Sequence, residues 1–290
     1  MNAPSGLVVV DKPGGMTSHG VVARVRRLAG TRKVGHAGTL DPMATGVLVL
    51  GINRATRLLG HLMLTEKAYA ATIRLGVATT TDDAEGEVVS TADAAGLEEA
   101  TVHAALRAFV GDLEQVPTAV SAIKVDGKRA DQRVRVGEDV ELPARPVTVH
   151  ELVPGPLRSA EGVVELDVTL RCSSGTYVRA IARDLGAALG VGGHLTALRR
   201  TAVGAFDLAV AHTLEELGER FMLLPIAEAA RGSFPSHDLD AERAQDVRYG
   251  RRLELRLAAT TAVFAPDGEF LALYEPTDQP GLARPRAVFV

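Results

Sequence analysis

The sequence predicts an α+β protein that consists of a large domain of mixed strands and helices and a small β-rich C-terminal domain. Short apolar or alternating runs, which are typical of strands, are interspersed with runs whose apolar residues recur at helical spacing. After about residue 235 only short strand-like runs remain. A length of 290 residues exceeds the usual size of one domain, which favours one large domain and one small one.

The first sixty residues predict two strands and two helices. Residues 7–10 and residues 47–52 are short apolar runs bounded by polar residues or glycine, as expected for buried strands. Thr17 or Ser18 can cap a helix between these strands. The apolar spacing over residues 55–62 predicts a second amphipathic helix.

The middle of the chain continues the same mixture. Alternation over residues 67–75 predicts a strand whose inner face carries Tyr69. Residues 97–109 and residues 178–189 have helical periodicity, and residues 163–171 alternate as a strand.

A basic hairpin is predicted within an insertion at about residues 120–150. Asp126-Gly127 is a favoured turn pair for two-residue hairpins, and lysines and arginines flank it. Such a hairpin is either an RNA-binding element or an ordinary solvated turn, and charge alone does not distinguish the two.

A composition shift near residues 225–235 predicts a linker, because prolines and a glycine lie close together there. The expected domains are therefore residues 1–230 and residues 231–290. The second domain contains a Pro-Asp-Gly turn between two short apolar strands.

Charge is separated along the chain. The net charge is −4, yet residues 1–60 carry eight basic and two acidic side chains, and residues 171–205 carry five arginines and one aspartate. Residues 81–115 carry nine acidic side chains and one arginine. Basic faces on an acidic protein are compatible with binding a phosphate backbone, although a solvated charged surface has the same composition.

Several classes of protein are excluded by what the sequence lacks. A single cysteine, Cys172, permits no internal disulfide and no cysteine-rich metal site. No apolar run approaches the roughly 20 residues that cross a bilayer, and the N-terminal apolar stretch is too short for a signal peptide. The motifs of nucleotide-binding loops, dinucleotide folds, serine hydrolases and zinc peptidases are also absent. We expect a cytoplasmic protein that does not associate with membranes.

The loop of residues 35–46 carries the clearest chemical signal. Glycines at three positions permit unusual backbone angles, and Pro42 disfavours helical geometry at Asp41. A carboxylate with an ordinary pKa near 4 is ionised at neutral pH, and a nearby arginine would keep it so. Such a group suits a nucleophile or a base, whereas an ordinary solvated turn is the alternative.

This loop resembles the signature of the TruB family of tRNA pseudouridine synthases. The signature comprises Gly35-His36-Ala37-Gly38-Thr39-Leu40-Asp41-Pro42 and Ala44-Thr45-Gly46-Val47-Leu48. Four further stretches resemble family motifs in family order: Asp11-Lys12-Pro13-x-Gly15-Met16-Thr17-Ser18, Lys67-x-Tyr69, Gly175-Thr176-Tyr177-Val178-Arg179-x-Ile181-x-x-Asp184-Leu185-Gly186 and Leu198-Arg199-Arg200. The chain departs from the family at Val116 and Val120, where a proline and a tyrosine are usual.

The resemblance implies a fold and an activity. The expected fold is that of pseudouridine synthases, with a mixed, largely antiparallel central sheet flanked by helices and a small PUA-like RNA-binding domain. The expected activity is the isomerisation of uridine to pseudouridine at position 55 in the T loop of tRNA, after the base is flipped from its stack. The resemblance implies no cofactor, no metal and no obligatory protein partner.

The resemblance also assigns roles to individual residues. Asp41 would be the nucleophile, Arg179 its ionic partner, and Tyr69 the residue that stacks on the base. Tyr177 and Leu198 would line the uracil pocket, His36 would hold the nucleotide, and Lys12 would support the loop or the RNA backbone. An independent observation favours a special role for Arg179: it falls in the first turn of its helix, where the macrodipole disfavours a cation by about 0.3–1 kcal/mol.

Three hypotheses follow. The first is an enzyme that modifies the T stem-loop of tRNA by itself. The second is a guide-RNA-dependent synthase of the dyskerin type, which requires partner proteins. The third is a non-catalytic RNA-binding or tRNA-folding protein, which the intact Asp41, Tyr69 and Arg179 disfavour.

Overall fold

The structure is a computed structural model that describes residues 5–119, 124–125, 128–129 and 142–290. The helices are α1 (Ser18–Leu28), α2 (Leu59–Leu62), α3 (Glu99–Arg107), α4 (Val178–Ala188), α5 (Leu214–Glu219), α6 (Ile226–Ser233) and α7 (Ala241–Arg248). The strands are β1 (Gly6–Lys12), β2 (Val34–His36), β3 (Thr45–Ile52), β4 (Lys67–Leu75), β5 (Val77–Thr79), β6 (Val88–Thr91), β7 (Gly111–Gln115), β8 (Lys124–Val125), β9 (Lys128–Arg129), β10 (Arg145–Ala160), β11 (Val163–Cys172), β12 (Gly193–Val203), β13 (Phe206–Asp207), β14 (Leu224–Pro225), β15 (Ser236–Asp238), β16 (Leu253–Glu254), β17 (Thr261–Phe264), β18 (Phe270–Pro276) and β19 (Leu282–Val288).

A ten-stranded sheet forms the centre of the large domain. Its main path runs β14-β1-β3-β12-β4-β11-β10-β7, while β13 pairs with β12 and β2 pairs with β3. The pair of β3 and β12 is parallel, and the other pairs described in this sheet are antiparallel. The expected α+β architecture with a mixed, largely antiparallel sheet is confirmed.

Both faces of this sheet are covered. In β1, Val8 and Val10 belong to one apolar cluster with residues of α1, α3 and α4, while Leu7 and Val9 belong to another with residues of α2 and α6. A strand that is buried on both faces has apolar residues in succession rather than in alternation. This explains the continuous apolar run at residues 7–10.

Helix α1 begins where the sequence predicts. Thr17 is the N-cap, and its side-chain oxygen accepts a hydrogen bond from the backbone N–H of Gly20 at 3.0 Å. Val21, Val22 and Val25 are buried against the sheet. The basic side chains on the opposite face are exposed.

The single helix predicted over residues 55–62 is two shorter pieces. A 3₁₀ helix spans Asn53–Arg57, and the one-turn helix α2 follows it. The apolar pattern nevertheless identified buried positions, since Ala55, Leu58 and Leu62 are almost inaccessible. Tertiary packing, rather than helix propensity, supports so short a helix.

A second sheet lies in the C-terminal part of the chain, with strand order β15-β17-β18-β19-β16. Its strands pack partly around their own apolar cluster and partly against the central sheet, because Phe264 and Phe270 share a cluster with Val9. The Arg54 guanidinium also donates to the carbonyl of Phe289 at 2.9 Å. The expected β-rich C-terminal domain is therefore present and packed on the large domain.

The predicted linker near residues 225–235 is mostly helical, which corrects that expectation. Pro225 is the N-cap residue of α6, and Ala229 and Ala230 are buried. Proline is readily accommodated at a helix start, so the local composition did not require an irregular segment. The division into residues 1–230 and 231–290 stays a prediction.

The basic hairpin is described only in part. Strands β8 and β9 pair antiparallel on either side of Asp126-Gly127, as predicted. Residues 120–123, 126–127 and 130–141 of the predicted insertion lie outside the described residues. Within the described residues, no helix is long and apolar enough to span a membrane.

Candidate active site

A cavity of about 290 Å³ lies where the loop of residues 35–46, strand β4 and the start of α4 meet. The register of three strands builds this meeting point: Arg200 on β12 pairs with Gly46 on β3 and with Tyr69 on β4. The lining residues are 38–41, Met63, Lys67, Tyr69, 173–179, Leu198 and Arg200. Of the predicted site residues, Asp41, Tyr69, Tyr177, Arg179 and Leu198 meet here.

Buried side chains from other segments hold the loop that carries Asp41. Ser18 is paired with the backbone of Leu40 in both directions, accepting from its N–H at 2.8 Å and donating to its carbonyl at 3.0 Å. Arg200 donates to the carbonyls of Val47, Thr39 and Gly38 at 2.8, 3.3 and 3.2 Å. The loop is therefore a supported structure rather than a solvated turn.

Lys12 supports the same loop from the end of β1. Its buried ammonium donates to the carbonyls of Pro13, Met16 and Pro42 at 2.8, 2.6 and 3.1 Å. Burial lowers its pKa to about 8, although nearby carboxylates oppose the change. Lys12 is not among the cavity-lining residues, and these contacts favour its predicted role in the loop over contact with RNA.

Gly46 allows the loop to approach β12 closely. Its φ is +99°, and a Cβ atom built there would lie 2.2 Å from the carbonyl oxygen of Arg200. Side chains essentially never approach a backbone oxygen so closely, and left-handed backbone geometry is strained for residues other than glycine.

Arg179 contacts two carboxylates. Its Nε lies 3.1 Å from Oδ2 of Asp41, and its Nη1 lies 3.2 Å from Oδ2 of Asp83 and donates to the carbonyl of Thr81 at 2.9 Å. Its side chain is only 5% exposed and that of Asp83 3%, whereas that of Asp41 is 34% exposed. Arg179 thus links Asp41, which faces the cavity, to a buried acidic turn. As predicted, it lies in the first turn of α4.

The electrostatics of Asp41 differ from our expectation. Burial raises the pKa of Asp41 above its ordinary value, and Asp83 adds to the rise, while Arg179 and Lys12 oppose it. The sequence predicts that a nearby arginine keeps Asp41 ionised, but the attraction of Arg179 is the smaller effect. The cost of burying the carboxylate outweighs the attraction of Arg179, and the negative charge of Asp83 adds to that cost.

Tyr69 lies on β4 and lines the cavity while packing against the apolar core, as the alternation predicts. Burial raises the pKa of Tyr69, although the adjacent Arg200 guanidinium opposes the rise. Its hydroxyl is therefore protonated at neutral pH.

The next two predicted pocket residues come from different elements. Leu198 on β12 is 7% exposed, and Tyr177 is the N-cap residue of α4. The side-chain amide of Gln115 binds the backbone of Tyr177 twice, donating to its carbonyl at 3.1 Å and accepting from its N–H at 2.8 Å. The end of β7 thereby positions the start of α4.

His36 lies on β2 outside the cavity lining. Its ring is perpendicular to that of His19, with 5.6 Å between the ring centroids, and its Nδ1 is buried without a hydrogen-bond partner. Burial lowers the pKa of His36, with His19 and Arg200 adding to the effect. A neutral imidazole favours stacking on a base over an ionic contact with phosphate.

Three residues at this site were not predicted as functional residues: Asp83, Arg200 and Lys67. Asp83 belongs to the acidic segment of residues 81–115, while Arg200 and Lys67 appear only as members of motifs. Lys67 donates to the carbonyls of Met63 and Thr65 at 2.5 Å each, and burial lowers its pKa to about 8. Among the described residues, no group of three or more histidine, cysteine, aspartate or glutamate side chains could hold a metal ion.

The fold is similar to that of chains in two solved complexes. One is a chain of an H/ACA RNP bound to a substrate RNA containing 2′-deoxyuridine. The match covers 98% of this chain and 85% of that chain, with a TM-score of 0.72 and 23% sequence identity. The other is a chain of a Cbf5-Nop10-Gar1 complex, and the match again covers 98% of this chain and 85% of that chain, with a TM-score of 0.72 and 24% sequence identity. At these identities the likeness shows the fold.

Two relatives have a much higher sequence identity to this chain than the solved structures do. Proteins named tRNA pseudouridine synthase B from Arthrobacter sp. (strain FB24) and Streptomyces griseus subsp. griseus are 57% and 56% identical to this chain. The matches cover 98% and 99% of this chain and 96% and 97% of the relatives.

Family models cover most of the chain. A model described as TruB family pseudouridylate synthase (N terminal domain) matches residues 26–178. The models for a tRNA pseudouridylate synthase B C-terminal domain and for tRNA Pseudouridine synthase II, C terminal, match residues 179–228 and 234–290. The fold and these matches define the protein as a pseudouridine synthase. More narrowly, the chain belongs to the TruB family.

Proposed function

We propose that this enzyme converts uridine 55 in the T loop of tRNA to pseudouridine, acting without a guide RNA or an obligatory protein partner. The observation that carries the proposal is the pairing of Asp41 with Arg179 at a cavity lined by Tyr69. The two relatives described above, which match over nearly their whole length, are named as tRNA pseudouridine synthases. We also propose that the protein is cytoplasmic, because its proposed substrate is tRNA.

The reaction needs a carboxylate at a fixed position. The bond between ribose C1′ and uracil N1 breaks, the base rotates and a bond between C1′ and C5 forms. The C5 hydrogen leaves as a proton and N1 gains a proton, so that the product is an isomer of the substrate. Asp41 in its ionised form starts this sequence, whether by attack on C1′, by attack on C6 or by removal of a ribose proton. Arg179 holds one oxygen of Asp41, so the carboxylate is directed before the substrate arrives.

The cavity accepts a base that has left its stack. Tyr69 and Leu198 offer apolar surface for uracil, and the Tyr69 hydroxyl, which is protonated at neutral pH, can donate a hydrogen bond. Uridine within a folded loop cannot present C1′ and C5 to a carboxylate while it is stacked, so the base flips into the cavity. His36, outside this cavity, contacts the nucleotide next to it.

Three surfaces bind the surrounding RNA in this proposal. They are the exposed basic face of α1, the hairpin that includes β8 and β9, and the C-terminal residues 231–290, which we assign to a PUA-like RNA-binding domain. Their arginines and lysines neutralise phosphates, so RNA affinity decreases as the salt concentration increases.

The test uses the purified protein alone. A T stem-loop transcript that carries tritium at uridine C5 is mixed with excess enzyme, and tritium release is measured in a single turnover. We expect release by the wild type and none above background by Asp41→Asn. Asp167→Asn is the matched control, because Asp167 is a surface carboxylate paired with Arg158 on the sheet. We expect it to react at the wild-type rate.

Two results would contradict the proposal. Release only after addition of a guide RNA and partner proteins would favour the dyskerin-type alternative. Equal release by Asp41→Asn would remove Asp41 from the chemistry. An anticodon stem-loop transcript tests the position, since we expect release from the T stem-loop only.

A further inference from the structure

Helix α4 presents two arginines to one short acidic turn. Arg179 and Arg183 are four residues apart and therefore lie on the same side of the helix. Arg179 binds the carbonyl of Thr81 and the carboxylate of Asp83. Arg183 places its Nη1 3.4 Å from Oδ2 of Asp82, the residue between them. The two arginines thus bind three consecutive residues, 81–83.

The backbone of this turn, residues 81–83, is tightly constrained. Asp82 has a φ of +59°, a left-handed geometry that is unfavourable for most residues and less so for aspartate. Its carbonyl accepts a hydrogen bond from the N–H of Leu195 at 3.1 Å. The backbone therefore directs Asp82 and Asp83 toward the same helix, where each meets an arginine.

Arg183 has further partners that fix its position. It donates to the carbonyl of Val116 at 2.8 Å and, more weakly, to that of Pro117 at 3.5 Å. Its Nε donates to Asp184 at 2.8 Å. The Arg183 side chain is 29% exposed and that of Asp82 only 14%, so water screens the interaction with Asp82 incompletely.

The two ion pairs are electrostatically connected. Asp82 is attracted by both Arg183 and Arg179. If Arg183 lost its charge, Asp82 and Asp83 would both depend on Arg179 for compensation. Arg179 would then be drawn toward the turn and away from Asp41. Asp184 competes less for Arg179, because it is 38% exposed and better hydrated.

We propose that Arg183 is a positioning residue for the Asp41–Arg179 pair, which it maintains by neutralising Asp82. The proposal rests on the proposed function, in which that pair drives the isomerisation. Arg183 does not contact the cavity; it acts on the reaction through Asp82 and Arg179. Charge compensation, rather than mechanical anchoring of the turn, is the property that matters.

The experiment separates charge compensation from anchoring. Arg183→Gln removes the charge, Arg183→Lys keeps it, and a double variant combines Arg183→Gln with Asp82→Asn. We expect Arg183→Gln to lower the single-turnover rate of tritium release about tenfold or more, a size typical of coupling within a charged network. The RNA dissociation constant is expected to stay within about threefold, because the Arg183 guanidinium is already bound to Asp82, Asp184 and two backbone carbonyls.

The two other variants supply the decisive readout. Arg183→Lys should retain most of the rate. The double variant should recover most of the rate lost in Arg183→Gln, because an uncharged amide in place of the Asp82 carboxylate does not attract Arg179. Arg158→Gln is the matched control, since Arg158 also lies between two carboxylates but far from α4 in sequence and outside the cavity lining.

Three results would overturn the proposal: a wild-type rate in Arg183→Gln, a double variant as slow as Arg183→Gln, or an Arg183→Lys variant as slow as Arg183→Gln. The last two would indicate that Arg183 is only an anchor of the turn. Thermal unfolding confirms that each variant is folded, and if Arg183→Gln does not fold, the rate of Arg183→Lys decides the question. The proposed function is tested separately by the wild type and Asp41→Asn.

Discussion

At the scale of single residues, Asp83 acts on Asp41 in two opposite ways. It holds Arg179 in place from the side away from the cavity, and its negative charge makes ionisation of Asp41 less favourable. In the proposed mechanism the first effect supports catalysis, and the second raises the pKa of Asp41, the proposed nucleophile. Replacing Asp83 with asparagine separates the two effects.

We expect Asp83→Asn to slow the reaction and yet to shift its pH dependence toward acid. In the proposed mechanism the reactive form of Asp41 is the carboxylate, so the rate is expected to fall as the pH decreases through the pKa of Asp41. Without the charge of Asp83 that pKa is lower, and the acidic limb moves to lower pH. At neutral pH the rate should fall about tenfold, because Arg179 has lost one anchor.

The measurement is the single-turnover rate as a function of pH, with Asp167→Asn as control. An acidic limb that stays in place or moves to higher pH would contradict the electrostatic role of Asp83. An unchanged rate at neutral pH would contradict its role in holding Arg179.

At the scale of secondary structure elements, the parallel pairing of β3 with β12 depends on Gly46. We expect Gly46→Ala to destabilise the protein by about 2–4 kcal/mol, because it combines overpacking with a strained φ. The free energy of unfolding is measured by urea denaturation. Gly60→Ala is the control, since a Cβ atom there meets nothing within 4 Å; its effect should stay within about 0.5 kcal/mol. Equal effects would contradict this account of the loop.

The elements show what local patterns can predict. Strand β1, helix α1 and strand β4 were located correctly because their apolar spacing reports burial. The patterns did not predict the break before α2 or the helix α6, since both depend on contacts with distant segments. Ala229 and Ala230 of α6 are buried in the apolar cluster that includes Leu7 and Phe264. The local composition around Pro225 does not indicate this packing.

At the scale of the whole molecule, basic and acidic residues are separated along the chain, which favours RNA binding by a protein with a net negative charge. Arg24 and Arg27 are exposed on α1, within a segment that carries an excess of basic residues. We expect the double variant Arg24→Gln/Arg27→Gln to weaken RNA binding. The slope of the logarithm of the RNA affinity against the logarithm of the salt concentration should decrease in magnitude by about one for each arginine removed. The single-turnover rate with saturating RNA should not change, because neither residue contacts the cavity.

Filter binding at several salt concentrations measures both the affinity and its salt slope. Arg107→Gln is the control, since Arg107 is exposed within the acidic segment of residues 81–115. A salt slope equal to that of the wild type would indicate that α1 does not contact the RNA backbone.

The sequence alone determined the class of fold, the candidate nucleophile and its partner, because these depend on local periodicity and on motifs that can be recognised in one chain. The tertiary structure decided how the site is electrostatically balanced. Asp83 and Arg200 join the site from segments far from Asp41 in the chain. Asp83 has no local pattern that sets it apart, and the motif that contains Arg200 does not reveal its contacts with the loop of residues 35–46. The direction of the Asp41 pKa shift depends on burial and on shared charges, which exist only after β3, β4, β12 and α4 have assembled.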